Sequence, residues 1–320
     1  MPKITVLLAA GIIASTLGAS GPGRAAGVPA LSHVFVIVEE NTNFSDVFGA
    51  HKAEAPFLNA LADAHVRHDA YYGTSHVSLG NYISMVSGQM PSVLDHIDCP
   101  PYPLCVRPGP TIGKQLDTAG KSWRGYFTKM PAPCTHPSGL IDTFQSGYAT
   151  RHNPFVYFSE IVHNVPYCKA HDVPYETSFA ADLAAGPRTL SYIVPDTCND
   201  GHDAGCMGNK TQIQILDEWL AANVPPILSY VNSHPGSALF VTFDEASPSD
   251  TSGCCNQFMP FLFGGGHVGL VMVAPGLERS GYRSHVKANH YSLLRTIEAG
   301  FGLPPLAKAA QVPPMADLFL

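Results

Sequence analysis

Charge is scarce in this 320-residue chain: Asp, Glu, Lys and Arg make up 13% of it, against a hydrophobic fraction of 45%. That balance excludes a disordered, strongly solvated chain, which needs high charge and little apolar content. Basic clusters are missing as well. With a formal net charge of −7, the chain has no electrostatic footprint for nucleic acid and no strong attraction to anionic membranes. Past the N-terminus, no segment is apolar for long enough to cross a bilayer. Internal repeats and low-complexity linkers are absent, and no paired Cys-x-x-Cys spacing supports a structural zinc site.

What is present begins with an address. Lys3 precedes an apolar stretch from Ile4 to Ala14, and small residues follow as far as Ala25 and Ala26. This cationic, apolar, small-residue order predicts a secretory signal peptide over residues 1–26, with cleavage after Ala19 or Ala26, and a secreted or periplasmic location. Residues 27–320 are then expected to form a single domain. The eight cysteines suit an oxidising compartment and allow up to four disulfides. Short closures such as Cys99 with Cys105 and Cys198 with Cys206 fit the spacing. The adjacent Cys254 and Cys255 are expected to bond elsewhere, because a bridge between neighbours strains the backbone.

Strand and helix patterns alternate along the mature chain, which predicts an α/β fold. Helical spacing marks residues 56–65, 112–120, 211–223 and 291–299, while residues 122–127, 190–194 and 269–274 read as strands. Two further strand-like runs share an unusual ending. Val34 to Val38 leads into Glu39, Glu40 and Asn41, and Leu239 to Phe243 leads into Asp244 and Glu245. Uninterrupted apolar runs suit strands buried on both faces of a parallel sheet, whose carboxyl ends line one edge where ligands bind. Either cluster alone also fits acids at a helix N-terminus. Two of them point to a site for a divalent cation and an oxygen-rich substrate. The Pro-, Gly-, Cys- and His-rich stretches 88–110 and 130–176 are expected to be long loops over that edge.

A nucleophile candidate lies between them. Leu79, Tyr82, Ile83 and Val86 repeat at helical spacing, which places Ser78 at a helix start. There it is either an ordinary cap or a hydroxyl facing N–H groups that favour phosphate. Among 15 histidines, most of them expected to be surface or structural, His152, His202 and His290 are the candidates, and His202, in a segment that directly follows a strand, is expected to return near the same sheet edge; histidine can ligate a metal, bind phosphate or protonate a leaving alkoxide.

Taken in order, Val-Glu-Glu-Asn at 38–41, Ser-His-Val-Ser-Leu-Gly-Asn-Tyr at 75–82, Arg-His-Asn-Pro-Phe at 151–155, Asp-x-x-Asn-Asp-Gly-His-Asp at 196–203, Val-Thr-Phe-Asp-Glu at 241–245 and the segment His290 to Glu298 resemble the bacterial phosphoesterase family. The resemblance spans nearly the whole mature chain. It implies an alkaline-phosphatase-like three-layer sandwich with a mainly parallel sheet. The implied activity is that of a metal-assisted acid phosphatase acting on a small-molecule or lipid phosphoester. It further implies Glu40, Asn41, Asp244 and Glu245 as metal ligands and Ser78, His152 and His202 as catalytic residues. His76, Asn81 and His290 are the implied substrate contacts, with His290 alternatively a metal ligand or a support for the last helix. Metal identity, natural substrate and oligomeric state stay open. A phospholipase C would use similar residues behind an apolar entrance, for which Phe155, Tyr157 and Phe158 are candidates. A catalytically inactive binding protein is the alternative of a different class. The Cys/Ser-x-Pro-x-Arg signature of sulfatases is absent.

Overall fold

The computed structural model describes residues 27–137, 147–257 and 264–320; the expected leader, residues 1–26, lies outside them. Among the described residues nine strands form one sheet: β1 (Val34–Glu39), β2 (Val66–Tyr72), β3 (Trp123–Phe127), β4 (Asp172–Pro174), β5 (Leu190–Val194), β6 (Ala238–Phe243), β7 (His267–Val273), β8 (Arg283–Ser284) and β9 (Ala288–Asn289). Their spatial order is β4-β3-β5-β1-β6-β7-β2-β8, with β9 also on β2. β7 runs antiparallel to both of its neighbours, and every other pairing is parallel. The sheet is therefore mixed but mostly parallel. Both acidic-ended runs are strands, fully buried and paired with each other from Val34 with Ala238 to Glu39 with Phe243.

The helices are α1 (Pro56–Ala64), α2 (Ser78–Ser87), α3 (Ile112–Thr118), α4 (Ser159–Val162), α5 (Val165–His171), α6 (Tyr175–Ala185), α7 (Gln212–Ser233) and α8 (His290–Phe301). Alternation along the strands assigns them to two layers. Phe35 on β1 meets Tyr230 of α7 and Phe179 of α6. On the opposite face Tyr192, in register with Val36, meets Met85 of α2, and α2 packs on α8.

Several expectations are corrected. α7 runs ten residues past the expected end at Asn223, through Pro225 and Pro226. Both prolines, and the carbonyl-bearing Ala221 and Ala222 whose bonds they forfeit, face solvent, while Val224, Ile227 and Val231 stay buried; the freed carbonyls are open to solvent and packing holds the helix. The expected loop region 130–176 contains α4, α5 and β4. The cysteines pair as Cys99–Cys105, Cys134–Cys168, Cys198–Cys206 and, against expectation, Cys254–Cys255. The vicinal bridge sits in a turn with positive φ at Cys255 and Asn256, whose carbonyls at Cys254 and Cys255 are held by the Asn289 amide. Phe155, Tyr157 and Phe158 are core residues rather than an entrance, with Phe155 packed on Trp123 and Tyr192.

Candidate active site

Three parallel strands end on acids at one point of the sheet edge. β1 delivers Glu40 and Asn41, its neighbour β6 delivers Asp244 and Glu245, and β5 on the other side leads to Asp200. Main-chain bonds fasten these ends together: Glu40 N–H donates to the Asp200 carbonyl at 2.8 Å and Asp244 N–H to the Glu39 carbonyl at 2.9 Å. Asn41 turns the chain with φ of +48°, a conformation asparagine tolerates better than most residues. Its N–H donates to Asp244 Oδ1 at 3.2 Å. Gly73, just past β2, lies so close to the main chain of Gly265 and Asp244 that a Cβ would fall 2.7–2.8 Å from their oxygens. That close approach brings the serine segment against the end of β6.

Ser78 is the first residue of α2, behind a Val77 N-cap. Its hydroxyl does not cap the helix; it donates to Glu40 Oε2 at 3.0 Å. The other oxygen of Glu40 accepts from the Tyr82 hydroxyl at 2.7 Å. His152 stacks on the Tyr82 ring, with centroids 5.3 Å apart, and lies 3.2 Å from both Glu40 Oε1 and Asp200 Oδ2. Neither ring nitrogen reaches hydrogen-bond geometry at that distance. His202 sits 5.7 Å from His152, centroid to centroid, between Arg151 and Asp203. With its side chain 29% exposed against 3% for His152, His202 forms the open rim.

Glu40, Asp200 and Asp244 are all fully buried, and each carboxyl is pushed above its ordinary pKa, first by burial. Mutual repulsion adds to this for Glu40 and Asp200, whereas hydrogen bonds from Asn41 and Glu245 N–H groups oppose the rise at Asp244. Burial, Arg151 and His202 hold His152 well below the usual imidazole range. Asn41 Oδ1, Asp200 Oδ2 and Asp244 Oδ2 are buried without a partner. Orphaned oxygens among crowded carboxylates are costly unless a cation or ordered water meets them, so the donor set fits a hard divalent ion. Glu40, His152 and His202 also offer atoms within 4.8 Å of one another, which adds nitrogen ligands to the same cluster.

The other expected site residues are placed differently. Glu245 pairs with His76 Nδ1 at 2.5 Å, and His76 Nε2 meets the Asp250 carbonyl at 2.9 Å. Asn81 accepts from the N–H groups of Thr74 and Ser75 and returns a bond to the Ser75 carbonyl, shaping the loop before Ser78. His290 braces β6: its Nε2 lies 2.5 Å from the Asp244 carbonyl, and Nδ1 accepts from Tyr71 at 3.0 Å. Burial lowers its pKa to about 4, keeping it neutral. Sequence reasoning passed over Tyr82 and Asp200. Asp200 carried a weaker signal, since it lies in the loop that leaves a third strand, β5, rather than directly at its end; Tyr82 reads only as an apolar helix position.

Residues 51–304 match the model of the phosphoesterase family. Over 317 residues the chain is 30% identical to the phosphatidylinositol-3-phosphatase of Mycobacterium tuberculosis, covering 98% of this chain and 92% of that protein. It is 27% identical over 282 residues to a probable acid phosphatase of Kluyveromyces lactis, covering 87% of this chain and 60% of that relative. In fold, a crystal structure of an alkaline phosphatase superfamily protein from Vibrio parahaemolyticus aligns with a TM-score of 0.57 at 12% identity, covering 93% of this chain and 71% of that one.

Proposed function

Because the chain belongs to the phosphoesterase family, we propose that it is an exported acid phosphatase that hydrolyses phosphate monoesters through Ser78. The observation that carries this reading is the Ser78 hydroxyl, set at a helix start 3.0 Å from Glu40 within a buried cluster of unpartnered acceptors. Glu40, Asn41 and Asp244, joined by Asp200 and His152, would hold a divalent cation. When bound, such an ion neutralises phosphate charge and makes a serine hydroxyl easier to ionise.

The remaining steps belong to the chain. Glu40 orients the hydroxyl for in-line attack on phosphorus, a reaction that depends mainly on positioning and charge stabilisation. The attack forms the Ser78 O–P bond as the ester O–P bond breaks, and the Ser78 proton passes to Glu40 Oε2, the acceptor of its hydrogen bond. His202, at the open rim, is held by Arg151 at its Nε2, 3.1 Å away, and by Asp203 at its Nδ1, 2.8 Å away; Arg151 and His202 are placed to meet the charge of the phosphate, and water at the rim protonates the departing alkoxide. Water then cleaves the phosphoserine and regenerates Ser78. Four disulfides among the described residues support work in an oxidising compartment. The mycobacterial relative is named for a lipid monoester, which brings lipid phosphates into the substrate range, whereas the burial of Phe155, Tyr157 and Phe158 removes the entrance expected for a diester lipase.

The test is turnover of p-nitrophenyl phosphate by the purified chain and by Ser78→Ala, with folding checked by circular dichroism. Rate losses of about three orders of magnitude or more in a folded variant are expected. Full activity in that variant would remove Ser78 from the role, and no turnover by the parent would favour an inactive binding protein.

A further inference from the structure

The rim of the site carries an apolar turn. Among the described residues, Met90, Val93, Leu94, Ile97 and Leu104 are exposed large apolar side chains, Val93 at 83% and Ile97 at 69%, while the others of this kind are scattered at Val165, Met207, Val286 and Leu320. Concentration between positions 90 and 104 marks a surface for a partner rather than incidental exposure. Both aspartates of the same turn are tied to the frame, while Ser92 is exposed and the Asp98 side chain is 26% exposed. Asp95 is fully buried, accepts from the Ser92 N–H at 2.6 Å and is gripped through both carboxylate oxygens by Arg107. Asp98 accepts from the Leu79 N–H at 2.9 Å. No Lys or Arg occurs between positions 88 and 106, and the Cys99–Cys105 bridge ties the segment back on itself.

Position and charge together identify the occupant. His96 bonds to Ser75 Oγ at 3.2 Å, Asp98 holds the residue after Ser78, and Asp98 Oδ2 lies 3.6 Å from Arg151, which contacts His202 at the rim. The turn is thus bolted to the frame of the site, and whatever covers it lies beside the opening. A turn whose exposed side chains are mainly aliphatic, and whose one partly exposed acid is Asp98, on a chain of net charge −7, gains nothing from an anionic surface. It suits insertion of aliphatic side chains among neutral headgroups. We propose that residues 90–104 form a membrane-docking surface that inserts into a zwitterionic lipid interface and presents the Ser78 site to phosphate monoesters borne on lipid. The substrate half of this statement rests on the phosphatase reading; the docking half does not.

The experiment compares the parent chain with the double variant Val93→Ser, Ile97→Ser on two substrates: p-nitrophenyl phosphate in solution, and phosphatidylinositol 3-phosphate as a minor component of phosphatidylcholine vesicles. Flotation with the same vesicles is measured alongside, at low and high salt. The parent floats with the vesicles at both salt levels. In the variant, flotation and vesicle-borne turnover each fall about tenfold or more, the loss of two inserted aliphatic side chains, while soluble turnover stays within about twofold. Unchanged flotation and vesicle turnover would overturn the proposal. So would a parallel fall on both substrates, which would make the turn structural, or a parent dimer in sedimentation that the substitutions dissociate, which would make the occupant a second copy. If the parent turns over neither substrate, the phosphatase reading fails and flotation alone decides docking.

Discussion

Two polar regions meet at the end of β6, and they differ in whether their atoms are paired. On one side, His76, Glu245, Asn81 and His290 use their polar groups on one another or on the main chain. On the other, Asn41 Oδ1, Asp200 Oδ2, Asp244 Oδ2 and both ring nitrogens of His152 are buried with no hydrogen bond. All these residues belong to segments that resemble motifs of one family, so motif membership does not separate them. Pairing does: a satisfied buried network rigidifies its surroundings, whereas orphaned acceptors packed together await a ligand. On the proposed reading, the paired side is scaffold and the unpaired side is the reacting centre.

Substitutions on the two sides should therefore separate chemistry from stability. The largest effect is expected on the unpaired side. Asp244→Asn removes a charge from the proposed cation cradle, so turnover should fall about a hundredfold or more, and stimulation by added Mn²⁺ after chelation should weaken with it. A variant as active and as chelator-sensitive as the parent would break the comparison. Tyr82→Phe takes one donor from Glu40 while keeping the ring under His152; partners that orient a ligand typically contribute about 10- to 100-fold, and the apparent affinity for the activating ion should drop in step. On the paired side, His76→Gln leaves Glu245 buried without its partner. The melting temperature should fall by several degrees, while the rate per folded molecule changes less than about tenfold.

The smallest effect on turnover belongs to a remote carboxyl, whose signature is in stability. Burial pushes Asp172 up to about 8, opposed by the Asn153 amide, which donates to both of its oxygens. Between the ordinary carboxylate range and pH 8 the native state keeps a proton that the unfolded chain has released. Its contribution is therefore complete at the acidic end and is lost as pH rises through 8. Asp172→Asn has no such titration. Urea unfolding should show the parent losing stability relative to the variant between pH 5 and 8, and parallel curves would contradict this.

Much of the frame is legible in the sequence because burial on both faces leaves a plain signature. β1, β5 and β6 are apolar runs, and their acidic ends stand out against them. β2 is not legible. Arg67, His68 and Asp69 interrupt its pattern, and only the structure shows Arg67 bonded to Asp69 and lying over Phe44 and Phe48. The same limit applies within the site. Ser78 is visible from the helix start and Glu40 from its strand end. Tyr82 looks like any apolar helix position until its hydroxyl is found against Glu40, 42 residues away in sequence. Pairing across such distances is also what sets Glu245 and His290 apart from the unpaired cluster.

The central claim is that the unpaired acceptors beside Ser78 form a cation site. Anomalous diffraction from crystals soaked in Mn²⁺ tests it most directly. A peak against Asn41 Oδ1, Asp244 Oδ2 and the Glu40 carboxylate is predicted; an ordered peak elsewhere, with none at these atoms in an active crystal form, would contradict it.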